Sequence, residues 1–260
     1  MTRKSFLQML AGLFAPVLAP RSVQAQPLPG PDQLARRDMI AGIAASPRPD
    51  EIARKARSEG LLRAQGVRVL DSLPVIAGES RSLRRGDREV AQRLLGCMIA
   101  AVKGETDDPE LGRSLVAQFG AADYLTPAEA AFILDPAPDP QWRMDMTWRY
   151  EGALILVWAL GLRDGLPPGG EIADVAEMGA LLRDLGSEGL FTQARLRPQA
   201  DILDMADYYY RLHWAVTDAR LNGRAMPPGG DASIVLERAR ALNWLYGYAG
   251  QEWDEVSADT

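Results

Sequence analysis

The chain has 260 residues, 47% hydrophobic and 25% charged, a balance that suits a folded globular body and excludes wholesale disorder. Its formal charge of −6 leaves no basic excess for non-specific binding to nucleic acid or anionic membranes. The single cysteine, Cys97, excludes an intrachain disulfide and any zinc site built from several thiolates.

The first 25 residues have the three-part pattern of a secretory signal peptide. Arg3 and Lys4 make a basic start, Phe6 to Ala19 is mostly apolar, and Val23-Gln24-Ala25 offers small residues for cleavage before Gln26. Pro16 and Pro20 interrupt any ordinary helix in this stretch. "TRKSFLQ" is similar to a twin-arginine export signal, with Lys4 standing where the second arginine would be, so both that route and the general secretory route stay open. With no cysteine near the cleavage point, a lipid anchor is not expected. The expectation is a chain exported from a bacterial cytoplasm, free in the periplasm or secreted, whose lone thiol tolerates an oxidising compartment.

Gln26 to Pro31 ("QPLPGP") reads as a stiff leader. Helix signals dominate from there on. Asp32 to Ala45 and Asp50 to Gln65 are predicted helices, the second closed by Gly66. "VRVLDSLPVI", residues 67–76, is the most strand-like stretch, and Pro74 confines it to an extended connection or a sheet edge. From Asp87 to Lys103 the spacing of Val90, Leu94, Cys97, Met98 and Val102 predicts an amphipathic helix. A short helix starts at Asp108-Pro109 and stops at Gly120, and Thr126-Pro127-Ala128-Glu129 spells a capped helix start.

Further helices are predicted over 139–162, 171–185, 198–221 and 231–248, with two "PPGG" stretches at 167–170 and 227–230 as loops between them. Gly152 to Leu162 carries no polar side chain apart from the indole of Trp158. Its 11 residues are too few to span a bilayer, which takes roughly 20. A segment apolar all round belongs at the centre of a bundle. The fold class is therefore all-α: one bundle-like domain over 32–260 around a central apolar helix, about 139–162, with no transmembrane segment in the mature chain.

Four segments carry a family resemblance: "LPVIAGESRSLRRGDREVAQR", "LTPAEAAFI" with "WRYEGALILVWALG", "DMADYYYRLHWAVTDARLNG" and "ERARALNWLYGYAGQEWDEVSADT". Together they are similar to the bacterial domain of unknown function 4272 family, over most of the chain from about residue 54. The resemblance implies a helical domain and assigns no catalytic residue.

Candidate site chemistry gathers in two places. Arg149, Tyr150 and Glu151 stand at the mouth of the apolar helix, and Asp207, Tyr210, Arg211 and His213 cluster on the helix over 198–221. Asp207 and Arg211 are four apart and can pair along it. Two readings follow: a structural one, in which Arg211 pairs with Asp207 or Glu151, and a pocket in which Arg211 holds an anion and His213 moves protons. Glu151, Asp204, Asp207 and Glu237 supply carboxylates from three helices, but a di-iron bundle needs two Glu-x-x-His motifs and His213 is the lone histidine. No calcium loop, phosphate-cradling loop, dinucleotide fingerprint or nucleophile elbow is present, so no metal or cofactor is expected. Ser58 and Ser187 read as surface serines. Trp148, Trp158, Trp214 and Trp244 fall in core patterns, with Trp142 and Trp253 the two expected at the surface. The function expected is a binding or interaction protein of the cell envelope, taking an envelope protein or small ligand as partner. The alternative is a helical hydrolase that acts on envelope polymers through paired carboxylates.

Overall fold

A computed structural model describes residues 31–258, with side chains from Arg37 onward; the predicted signal peptide and most of the leader lie outside the described residues. Two compact units are distinguished, Met1–Ala35 and Arg36–Thr260. The first is described only as the opening residues of a helix. The second holds the rest of the fold, and among the described residues it is all-α with no strand.

The helices are α1 (Pro31–Ala45), α2 (Pro49–Ala64), α3 (Asp87–Thr106), α4 (Pro109–Phe119), α5 (Pro127–Leu134), α6 (Pro140–Thr147), α7 (Arg149–Ala159), α8 (Val175–Gln193), α9 (Gln199–Leu221) and α10 (Ala232–Leu245). Local chemistry starts many of them. Asp108, Asp139, Asp174 and Asp231 each accept backbone N–H bonds from the first turn that follows. Thr126 and Glu129 close the capping box expected of them, at 3.2 and 3.0 Å.

α7 sits at the centre, packed between α3 and α10; α9 covers the outer side of α10, and α2 covers α9. On the other flank α3 carries α4, α5 and α6. All 11 residues of α7 are buried. At about 1.5 Å per residue this helix reaches just over half the thickness of a bilayer core. Among the described residues no helix is long and apolar enough to cross a membrane.

The single helix expected over 139–162 is corrected to two. Trp148 breaks it with ψ −17°, and Glu151 N–H bonds back to Trp148 O at 3.0 Å, a tightened turn between α6 and α7. α6 lies very close to α3: a Cβ on Gly104 would stand 2.7 Å from Arg143 O and 2.8 Å from Thr147 Oγ1. The helix expected over 171–185 runs on to Gln193 past a break at Gly186, whose φ of 60° suits glycine. The 67–76 stretch is an extended connection, pinned where Lys55 donates to the carbonyls of Asp71 and Leu73, each at 2.6 Å. Trp253, expected at the surface, is only 4% exposed and packs edge-on against Trp244 at 5.2 Å. Ser58 is buried as well, and Ser187 is half-buried, donating to Phe119 O at 2.7 Å.

Candidate functional site

The structure divides the predicted polar cluster among three places. The first is a pair at the centre of the fold, Glu151 of α7 and Arg238 of α10, both 0% exposed. Arg238 Nε and Nη2 donate to Glu151 Oε2 at 3.1 and 2.9 Å. The same guanidinium donates to the carbonyls of Pro167 (2.9 Å), Pro168 (3.2 Å) and Glu171 (2.6 Å), and to Tyr209 Oη at 3.1 Å. Glu151 Oε1 accepts from Ala173 N–H at 2.8 Å. The pair therefore clamps the first PPGG loop. Gly169 in that loop meets the second one, where a Cβ would stand 2.7 Å from Gly229 O. Arg149, 9% exposed, stacks over the Trp253 ring at 5.6 Å.

The second place is the face of α9 toward α2. Arg211, 1% exposed, holds Asp207 with two bonds of 2.9 and 2.8 Å. It reaches Glu59 of α2 at 3.5 Å and donates to Pro74 O at 3.1 Å. Arg211 thus pairs with Asp207 and Glu59, and Glu151 takes Arg238 instead. Sequence reading missed Arg238. Its signal was a lone cation on the apolar face of α10, between Val235 at i−3 and Leu242 at i+4.

The third place is a groove. Tyr210 lines it, together with Asn243, Tyr246 and Tyr248 at the end of α10, Pro74 to Ala77 of the extended connection, and Met39, Ile40 and Ile43 of α1. About 70 Å³ of cavity volume remains between these walls. Burial pushes the Tyr210 hydroxyl up to about 12, with Arg211 opposing and Asp207 adding. Burial also holds Tyr246 well above the ordinary tyrosine value, with Tyr248, Tyr210 and Asp207 contributing. Both are therefore neutral hydroxyls near neutral pH, suited to hydrogen bonding and not to proton abstraction. Arg81 at the rim is bound to Glu51 through Nε at 2.9 Å and through Nη2. Next to the tyrosines, Ala249 has φ 53°, one of two non-glycine residues in the left-handed region among the described residues. His213 is half-buried and lines neither this groove nor the Asp201–Asp204 crevice.

A separate crevice of about 380 Å³ brings Asp201 and Asp204 together with Tyr208 and Trp158. Asp204 is engaged by Arg54 at 2.9 Å and Arg57 at 2.7 Å, and Trp158 is 5% exposed. Among the described residues no group of three or more His, Cys, Asp or Glu side chains could hold a metal ion.

Fold and site together define an all-α protein that uses its buried charges as internal clamps and presents a tyrosine-lined groove at its surface. Residues 54–256 match the family model described as "Domain of unknown function (DUF4272)", and the chain belongs to that family. No curated protein and no solved structure matches it.

Proposed function

We propose that this is an exported binding protein of the bacterial cell envelope, with the tyrosine-lined groove as its ligand surface. One observation carries the reading: Tyr210, Tyr246 and Tyr248 line one mostly apolar groove beside the strained Ala249, while the charges of Glu151, Asp207 and Arg211 are held in internal pairs. Binding pockets have this make-up, mostly apolar with a few placed polar groups. Backbone strain kept beside such a surface is a feature of functional sites. Export is supported by the basic start, apolar run and small-residue cleavage site of the first 25 residues.

The hydrolase reading draws on Asp201 and Asp204 in their shared crevice. It is the weaker of the two, since Asp204 is already bound by two guanidiniums. The test is a thermal-shift screen of the mature protein against peptide and small-molecule panels, repeated on Tyr210→Ala and Tyr210→Phe. A groove ligand raises the melting temperature of the wild type by mass action and loses that effect in Tyr210→Ala. Stabilisation that survives Tyr210→Ala undiminished, or activity on an envelope polymer that Asp201→Asn abolishes, would overturn the proposal.

A further inference from the structure

We propose that the groove is a docking site for an amphipathic helix of a partner protein, and that the C-terminal half of α1 occupies the site in cis until such a helix displaces it. The inference rests on the binding reading above.

Three observations bear on the occupant. The first is where the walls come from. Pro74 to Ala77, Tyr210, Asn243 and Tyr246 to Ala249 all lie within residues 54–256, the family domain, whereas α1 precedes it. Most of the groove thus lies within the matched residues, and α1 completes it from outside them. Second, α1 shows what the groove accepts. Met39, Ile40 and Ile43 face it at i, i+1 and i+4, the spacing of one helical stripe. No charge is on offer to an anionic ligand, because Arg81 is already held by Glu51. A neutral, apolar helix face is the chemistry that fits.

Third, α1 sits shallowly. Met39 is 53% exposed, Ile40 and Ile43 are only half-buried, and a Cβ placed on Gly42 would have nothing within 4 Å. Little apolar area of residues 37–45 is removed from water, and the hydrophobic contribution scales with that area. Such a helix stays in place chiefly because it is tethered: three residues, 46–48, join it to α2. A short tether gives a cis segment an effective concentration of the order of millimolar. A competing helix therefore meets a reduced apparent affinity, which returns when the cis segment is disabled.

The probe is a fluorescein-labelled peptide of residues 31–45, titrated to millimolar concentration and read by anisotropy. Three forms of the full mature chain are compared: wild type, Ile40→Glu/Ile43→Glu, and the same double variant with Val75→Arg in the groove wall. The double variant should bind the peptide at least about tenfold more tightly than wild type, and adding Val75→Arg should bring binding back to the wild-type level. Equal binding by the first two forms, or binding indifferent to Val75→Arg, overturns the proposal. Hydrogen exchange on the wild type gives a second reading that needs no variant to fold. Amides of residues 37–45 should exchange at least about a hundredfold faster than those of α7, and equal protection would also overturn it. If the freed groove refuses the peptide while a ligand from the thermal-shift screen still loses its effect in Tyr210→Ala, helix docking fails and the binding reading stands.

Discussion

Arg238 and Arg211 are guanidiniums at the centre of a small helical body, and each is kept there by having its donors satisfied. Taking an ion out of water costs several kcal/mol unless geometry and extra hydrogen bonds compensate. Arg238 meets that condition with Glu151, three carbonyls and Tyr209, and Arg211 does so with Asp207, Glu59 and Pro74 O. Arg238→Met should cost about 3–5 kcal/mol in chemical denaturation, because Glu151 is left charged and buried. Glu151→Gln combined with Arg238→Met should cost less than the two single changes added together. Arg211→Met should lower the melting temperature by several degrees, of the order expected for such a loss in a domain of this size.

Two more outcomes belong to single residues. Burial raises Cys97 to about 12, with Glu129 adding and Arg93 and Arg149 opposing, so its thiol should resist alkylation in the native protein and react once when unfolded. Burial by itself would raise Glu51, but the bonds from Arg81 and from Arg48 and Gly78 N–H outweigh it, and the net direction is down. A carboxylate depressed on folding contributes stability that is fully present above its unfolded value, near 4.5, and is lost as pH falls through the folded one. Glu51→Gln should therefore flatten the acid limb of the stability curve below about pH 5, and an unchanged limb would count against the assignment.

At the scale of elements, the apolar segment expected at the centre of the bundle is buried along the whole of α7. Leu156 is 0% exposed, and Leu156→Ala should destabilise by about 2–5 kcal/mol. A change under about 1 kcal/mol in urea would mean that α7 has a wet face. Gly104→Ala tests the α3–α6 approach: its Cβ would strike the backbone oxygen of Arg143, which cannot swing aside, so a cost of about 1–3 kcal/mol is expected. Most helices were readable because caps and apolar spacing are local. Thr126 with Glu129, the Asp at each of four other starts, and the Val90–Met98 face all lie within a few residues of the structure they cause. The break at Trp148 was not readable. It accompanies the contact of α6 with Gly104, more than 30 residues away, and nothing in "DMTWRYEG" marks it.

For the whole molecule, the array α2–α9–α10–α7–α3 places the two charge clamps between successive layers. Glu151–Arg238 ties α7 to α10 and the first PPGG loop, while Arg211 ties α9 to α2 and to the extended connection. Each clamp does what a hydrophobic contact does poorly, fixing the register of a loop against a helix through directional bonds. On the proposal of export, protein recovered from the native host should begin at Gln26, read by N-terminal sequencing. An intact Met1 or Thr2 terminus would remove that part of the proposal.

The sequence by itself determined the all-α class, the positions of most helices, the enclosure of the apolar segment and the family, because periodicity, capping and local motifs act over a few residues. Which charges meet was decided only by the tertiary structure. Glu151 could be matched with Arg211 on paper, since both lie at helix positions suited to the interior, yet the partner it finds is Arg238, 87 residues along the chain. The groove has the same origin. Its walls come from α1, the 74–77 connection, α9 and the turn after α10, and only the packing of these helices brings Tyr210, Tyr246 and Tyr248 to one surface.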